Sequence, residues 1–393
     1  MGANLAVGDT VNLVKGEQGL VTDDALKTVS GAALGKAEFL AMNNMSTDDQ
    51  YGLSISKLDA NTIIATVDSK TPMNNEDRHK SPAETRESVV SMVNAGADLL
   101  AGQGMSNAAD AAAAEQAGKD GAAAPGSGGY APFAAVGVSS LRAQSGSHVD
   151  TKGIGLALGF ARELQNKSGK LLVGPLLEYG YGRYDSYQDN GTQADGKSHY
   201  WGAGIIVKQT NHNGMYYEGS LRAGRMGSDY NRNDPVVGRM SYDSDVTYFG
   251  AHLGIGKVQD IGHDNTLDYY GKYFYSHTGG DRVFINGAGV TADFDGVDSH
   301  RLRVGARLTH AVNEKNKIYG GLAWQYEFNG DARVTYSGGG NAPSPSVKGS
   351  SGMLELGWQV KPGRSPMVID LGVTGWVGKQ RGITANLQAN WTF

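Results

Sequence analysis

The sequence predicts an all-β fold: a twelve-stranded antiparallel transmembrane β-barrel with an N-terminal α-helix in its lumen. Three observations carry this. After residue 130, apolar and polar side chains alternate with a period of two, as in strands with one face on lipid and one on a wet interior. The chain holds 9 Phe, 5 Trp and 19 Tyr, and all but Phe39, Tyr51 and Tyr130 lie in that part. One strong helix signal, near residue 82, stands before it.

Composition narrows the class. Gly supplies 58 of 393 residues, about twice the usual share. That suits strands and turns, because an interior Gly costs a helix about 1 kcal/mol against Ala. A formal charge of −5 excludes a global basic field for nucleic acid. Mean hydropathy is −0.37. No run reaches the length of an apolar membrane helix, a test that barrel strands escape. There is no cysteine, which excludes disulfides, zinc–thiolate sites and cysteine nucleophiles. Residues 1–5 lack a basic segment followed by an apolar run, so the start reads as processed or truncated rather than as a signal peptide.

Residues 1–75 contain short β-like runs: DTVNLV at 9–14, YGLSIS at 51–56 and NTIIATV at 61–67. So short a piece is marginal as an independent core. It reads as the end of a larger β-rich body or a junction, with a small self-contained domain as the alternative. Residues 76–130 form a helical linker and a connection. Ser81 at the N-cap, Pro82 at the first helical position and Glu84 at the third predict a helix over 82–102, with Gly102 and Gly104 as its stop. At 1.5 Å per residue it is about 30 Å long, close to the hydrocarbon thickness of a bilayer. Ser88, Ser91, Asn94 and Asp98 make it too polar for lipid but suitable for a narrow wet lumen. The bland alternative is a surface helix joining two soluble domains. Residues 106–129 are Ala-rich and then Gly-rich, a flexible link after Ala117.

Residues 131–393 supply twelve predicted strands: 132–142, 152–164, 169–185, 198–210, 214–227, 244–258, 265–277, 300–312, 316–328, 351–361, 366–379 and 383–393. In the last, Ile383, Ala385, Leu387, Ala389, Trp391 and Phe393 alternate with polar residues, long enough for a tilted lipid-spanning strand. An even count brings both ends of the barrel to one side. Long polar stretches at 186–197, 228–243, 278–299 and 329–350 alternate with short turns, as outer loops alternate with periplasmic turns. Residues 282–292 have β-like character of their own. A soluble β-sandwich or solenoid would alternate too, with its polar face in solvent.

On the polar face stand Glu178, Glu218, Arg222, Arg301, Arg303, Arg307, Glu327, Glu355 and Asp370. Arg301, Arg303 and Arg307 are expected on one wall of the lumen, with the carboxylates offering opposite charge. Arg86, Glu87 and Asp98 would let the helix pair with that wall, and Ala97 is expected near Ser220.

Residues 131–393 resemble the translocator barrel of the autotransporters, the type V secretion proteins of Gram-negative bacteria. The resemblance rests on APFAAVGVSSLRA at 131–143, GIGLALGFARE at 153–163, LLVGPLLEYGYGRYDSY at 171–187, EGSLRAGRMGSDY at 218–230, TLDYYGKYFYSH at 266–277, HRLRVGARLTHA at 300–311 and the terminal LQANWTF. It implies an outer-membrane translocator that supports secretion and surface display of its own N-terminal passenger. Residues 81–118 then fall where the family places its pore helix, and residues 1–75 look like the last rungs or junction of a β-helical passenger. The implied partners are outer-membrane lipid and lipopolysaccharide, the barrel-assembly machinery, periplasmic chaperones and the passenger itself, for a monomeric barrel with no cofactor. Trp391 and Phe393 would form the assembly signal as well as part of an aromatic girdle. Some members cut the linker with an Asn nucleophile, which makes Asn74 and Asn94 the residues to consider. A passive porin and a surface adhesin are the alternatives.

Other catalytic signals are weak. Thr22-Asp23-Asp24 and Thr47-Asp48-Asp49 lack a calcium-loop frame and read as turn or cap chemistry. The Gly-rich 153–159 run lacks the context of a dinucleotide fingerprint. The histidines are scattered, and neither HExxH nor a nucleophile elbow is present, so no metal site and no enzyme are expected.

Overall fold

A computed structural model describes residues 5–17, 33–119, 129–361 and 367–391. The first body is a four-stranded antiparallel sheet of β1 (Thr10–Lys15), β2 (Ala33–Asn44), β3 (Thr47–Asp59) and β4 (Thr62–Asn74), in the order β1-β4-β3-β2. Successive rungs of a parallel β-helix pair in parallel, whereas every pair here is antiparallel. The geometry differs from stacked rungs.

Helix α1 (Glu76–Leu99) follows β4 directly and continues through one turn of π-helix at residues 100–104 into α2 (Met105–Lys119). The helix therefore starts six residues before the position expected from Ser81 and Pro82. Asn75 is the N-cap, and its side chain accepts from the Arg78 N–H. Glu76 and Asp77 add negative charge to the first turn, where the helix dipole favours it. Pro82 sits inside the helix, in its second turn, and Ser81 and Glu84 are released from capping to bind the wall. Nor do Gly102 and Gly104 stop the helix. They widen it locally into the π turn.

Twelve strands close the barrel: β5 (Ala131–Gln144), β6 (His148–Asn166), β7 (Gly169–Tyr187), β8 (Gln193–Asn211), β9 (Met215–Asp234), β10 (Gly238–Gly262), β11 (Asn265–Thr278), β14 (Val297–Asn313), β15 (Asn316–Glu327), β17 (Gly349–Val360), β18 (Met367–Gly378) and β19 (Gln380–Trp391). Closure comes from β19 pairing antiparallel with β5. It removes the open edges that lipid cannot satisfy. All twelve expected segments are present, several longer than expected. The polar 228–243 stretch is the clearest case: β9 and β10 stay paired through Asp234 and Gly238. Ladder bonds need backbone, not apolar side chains, so polar strands continue past the apolar band.

The 282–292 region folds above one mouth, outside the barrel. There β12 (Asp281–Ile285), β13 (Val290–Phe294) and β16 (Val334–Tyr336) form a small sheet. Met45 of the junction, Ala83 and Val90 of the helix, Tyr230 and Tyr242 of the wall, and Ile285, Phe294 and Tyr336 of this sheet share one apolar cluster. A second core therefore ties junction, helix and the long loops together. No described helix is long and apolar enough to cross a membrane; the crossing elements are strands.

Candidate functional site

The site is the lumen and the helix within it. Alternation turns Leu253, Leu322, Leu354, Val377 and Ile383 outward, each more than half exposed. The same alternation buries Glu178, Glu218, Arg222, Arg301, Arg303, Glu327 and Asp370 inside. Outside lies a lipid-compatible surface; inside, almost every wall charge has a partner.

The strongest helix contact is at Asp98. Arg301 Nη1 donates to its Oδ1 at 2.8 Å and Arg303 Nη2 to the same oxygen at 2.7 Å. Gln325 Oε1 accepts from Arg303 Nη2 at 2.7 Å and holds the fork in place. Both guanidiniums also lie over the Phe274 ring, at 4.7 and 4.8 Å from its centroid. One turn up, Asn94 accepts from Ser276 Oγ at 2.6 Å and donates to Ser299 Oγ at 3.1 Å, and Ser299 donates to Glu327 at 2.5 Å. On another wall Arg222 bridges Glu178, at 2.7 Å, and the Val93 carbonyl, at 3.1 Å. Tyr248 donates to the same Glu178 at 2.5 Å. Glu218 pairs with Lys272 at 2.6 Å and with Lys208 at 3.5 Å. Lys272 also donates to the Ala101 carbonyl at 2.5 Å, inside the π turn, where carbonyls lose their regular partners.

The remaining candidates serve the wall or lie elsewhere. Arg307 pairs with Glu355 at 2.7 Å, and Asp370 accepts from Tyr319 at 2.8 Å. Arg86 does not meet a carboxylate; it donates to the Gly279 carbonyl and lies 5.9 Å from the Phe294 ring. Glu87 is buried, makes no hydrogen bond among the described residues and lines a small cavity with Glu327 and Lys379. Ala97 packs in one cluster with Phe274 rather than facing Ser220; it is Gly96 that approaches Arg222. A Cβ at Gly96 or at Gly180 would collide with the Tyr200 ring, so both glycines are needed for the helix and wall to approach. Asn74 ends β4 and donates to Glu76 at 3.0 Å, in the open beyond the mouth. Trp391 closes β19 opposite Met367, whereas Phe393, like Asp23 and Asp24, lies outside the described residues.

Three further contacts had no signal in the sequence. Glu84 is held by neutral donors alone: Ser145 at 2.8 Å, Gln188 at 2.6 Å, Ser147 and Ser186. Asp110 accepts from Gln359 at 3.1 Å near the other end. At the mouth, Arg78 bonds Asp48 at 2.5 and 3.0 Å and Asp234 at 3.0 Å, tying junction, helix and β9–β10 hairpin together. Burial works against the Arg78 charge, but the hydrogen bonds to Asp48 and Asp234 outweigh it and raise its pKa. Asp48, expected to be turn or cap chemistry, is thus part of a buried ionic lock.

A cavity of about 160 Å³ remains beside the helix, lined by Met92, Leu99, Tyr216, Asp268 and Glu355 among others. It has room for several waters, not for a second polypeptide. No group of three or more acidic or histidine side chains among the described residues is arranged to hold a metal.

A closed barrel with a lipid-facing exterior and a charged lumen filled by its own helix defines an outer-membrane β-barrel protein. The model of the autotransporter β-domain matches residues 134–367, more than half of the chain, and the chain belongs to that family. It is accordingly a translocator of the outer membrane. The fold is similar to the β-domain of the Bordetella autotransporter BrkA, at 18% identity and TM-score 0.52, covering 67% of this chain and 99% of that one. The translocator domain of NalP from Neisseria meningitidis is similar at 14% identity and TM-score 0.54, covering 72% and 93%. The transport unit of AIDA-I from Escherichia coli is similar at 11% identity and TM-score 0.52, covering 72% and 98%. No curated protein sequence matches the chain significantly.

Proposed function

We propose that this barrel carries its own N-terminal passenger to the cell surface and then keeps α1 in the pore as the end state of that passage. The observation that carries the reading is the double fork of Arg301 and Arg303 on Asp98, deep in the lumen. It fixes the helix axially, with the junction sheet of β1–β4 on the long-hairpin side, which is then the extracellular side. The short turns and both barrel ends face the periplasm. The passenger joins at the junction sheet, the barrel-assembly machinery reads the terminal strand through Trp391 and Phe393, and periplasmic chaperones hold the chain before insertion. Neither a porin nor an adhesin needs a helix bonded along its length to the wall.

The test uses the chain's lack of cysteine. Asn94→Cys with Ser276→Cys should form a disulfide in inserted barrels, because the native side chains touch at 2.6 Å. Ala97→Cys with Ser220→Cys should not. Absence of the first cross-link in heat-modifiable barrel would exclude the helix from the pore.

A finer reading concerns Asn94. Its amide is held by Ser276 and Ser299, Ser299 leads to the Glu327 carboxylate, and Arg301 Nη2 lies 3.4 Å from the Asn94 carbonyl oxygen. This supports Asn94 as an intramolecular nucleophile: its amide nitrogen attacks its own backbone carbonyl carbon and closes a succinimide, the Asn94–Ala95 peptide bond breaks, and the proton that Glu327 takes from the amide through Ser299 is balanced by one delivered to the departing Ala95 amine. N-terminal sequencing of barrel made in cells would give Ala95 as the first residue, and Glu327→Gln would leave the chain whole. An intact chain in wild type rejects cutting.

A further inference from the structure

Five adjacent strands each carry an outward, exposed cation near the long-hairpin rim: Arg381 on β19, Arg142 on β5, Lys152 on β6, Arg183 on β7 and Lys197 on β8. Register makes the arrangement costly. Arg381 lies directly opposite Arg142, Lys152 opposite Arg183, and Arg183 opposite Lys197. Like charges facing each other across a ladder destabilise it. Arg142 is compensated by Asp150 at 2.6 Å. Among the described residues, Lys152, Arg183 and Lys197 make no ion pair. The carboxylates Asp150, Asp185 and Asp195, themselves opposed, stand one pleat further from the apolar band.

The depth of the basic row is informative. On the same outward columns, the residues on the membrane side are Ile154, then Tyr181 and Tyr179, then His199 and Trp201. Trp201 and Tyr179 are 57% and 46% exposed, as in an interfacial aromatic belt. The cations therefore sit where headgroup phosphates lie. Across the barrel, the outward residues above the apolar run are Asp245, His277 and Asp298, so the basic row is one-sided.

A second observation adjoins it. The outer wall of β14–β19 has an apolar groove lined by Leu322, Trp324, Leu354, Gly375, Val377 and Gly382. A Cβ at Gly375 would meet nothing within 4 Å, so the groove is open to the membrane there. Gly382, the neighbour of Arg381 in the chain, is part of its lining.

We infer that this face seats a phosphorylated glycolipid of the outer leaflet, with its phosphates on the basic row and an acyl chain in the groove. The inference rests on the reading that the long-hairpin rim faces outward. The row spans four strand spacings, about 19 Å at ~4.8 Å each, more than a single phospholipid phosphate can bridge. A headgroup with two phosphates on a sugar backbone reaches across neighbouring strands and relieves both uncompensated pairs, Lys152–Arg183 and Arg183–Lys197, at once.

The test compares the full chain with the triple variant Lys152→Gln, Arg183→Gln, Lys197→Gln, and with Lys315→Gln in a turn at the opposite end as control. Each is reconstituted with bisphosphorylated lipid A, with dephosphorylated lipid A, or with phosphatidylglycerol, and the lipid retained is read by native mass spectrometry. Wild type and control should retain bisphosphorylated lipid A about tenfold better than the triple variant, the loss expected from several charge-assisted contacts. In lipid-free detergent the triple variant should melt higher than wild type, because the opposed charges are gone. Three results overturn the inference: equal retention by the triple variant, retention indifferent to the phosphates, or equal retention of phosphatidylglycerol. A barrel that inserts and holds its helix but fails these tests sinks the lipid seat alone. A barrel whose helix cannot be cross-linked in the pore sinks the reading beneath it.

Discussion

Removing residues 76–104 is expected to turn a nearly silent barrel into a conducting, anion-preferring pore. Twelve strands enclose more space than their inward side chains fill, unlike an eight-stranded barrel. Here the helix takes up the difference and leaves a cavity of only about 160 Å³. Conductance in planar bilayers should rise by roughly an order of magnitude or more once the lumen fills with water. The selectivity follows from the wall: without Asp98, Arg301 and Arg303 keep no carboxylate within ion-pair distance, while Glu178 and Glu218 keep Arg222 and Lys272. The freed charge at mid-lumen is positive, so chloride should pass more readily than potassium. A milder variant, Asp98→Asn, should leave the helix in place, raise the leak modestly and speed hydrogen exchange in α1. If the deletion inserts normally and conducts like wild type, the helix does not occlude the pore.

The second large effect is expected at the mouth. Arg78 has no solvent exposure, and Asp48 and Asp234 have side-chain exposures of 6% and 0%. Arg78→Met leaves two buried carboxylates without their main counter-charge, which typically costs about 3–5 kcal/mol. Arg232 remains 3.4 Å from Asp234 and places the loss near the lower end of that range. The cost falls on docking of the junction sheet, not on the barrel, whose ladder is untouched. Amides of residues 33–75 should lose protection and become sensitive to protease, while heat-modifiability of the barrel stays normal. Adding Asp48→Asn and Asp234→Asn should restore part of the protection, because neutral amides tolerate burial far better. Acid should mimic the mutation. The Asp234 carboxyl is held below its ordinary range despite burial, chiefly by the Arg78 hydrogen bond and the Val236 and Val237 N–H groups. Its contribution is therefore complete above the unfolded carboxylate range, near ~4, and is lost as pH falls through the lower folded value. Protection of residues 33–75 that is unchanged by Arg78→Met would show that the lock is incidental.

Much of the barrel was legible because its signal is local. Period-two alternation states which way each side chain points, whatever strand lies alongside. Arg301 and Arg303 could thus be assigned to the interior from RLR alone, and Glu218 with Arg222 from their even spacing. The helix was legible in existence but not in extent. Its start depended on Asn75, whose cap competes with a better-looking Ser81-Pro82 pair, and Ser81 instead bonds Tyr230 at 2.9 Å. The π turn at residues 100–104 had no usable signal, since two glycines in a helix end read as a stop until Lys272 is placed beside the Ala101 carbonyl.

What the sequence by itself determined was the class of architecture: how many strands, which faces are wet, where the turns fall, and that a helix precedes the wall. Each of these follows from the direction of a side chain relative to its own backbone. Partnership was decided only by the tertiary structure. Asp98 meets Arg301 and Arg303, and Arg78 meets Asp234 at 156 positions' separation, because barrel closure and strand register set the height and azimuth of every inward residue against one helix. The same closure set the one-sided cationic rim. Its members are scattered from Arg142 to Arg381 in the chain, and become a row only when β19 pairs with β5.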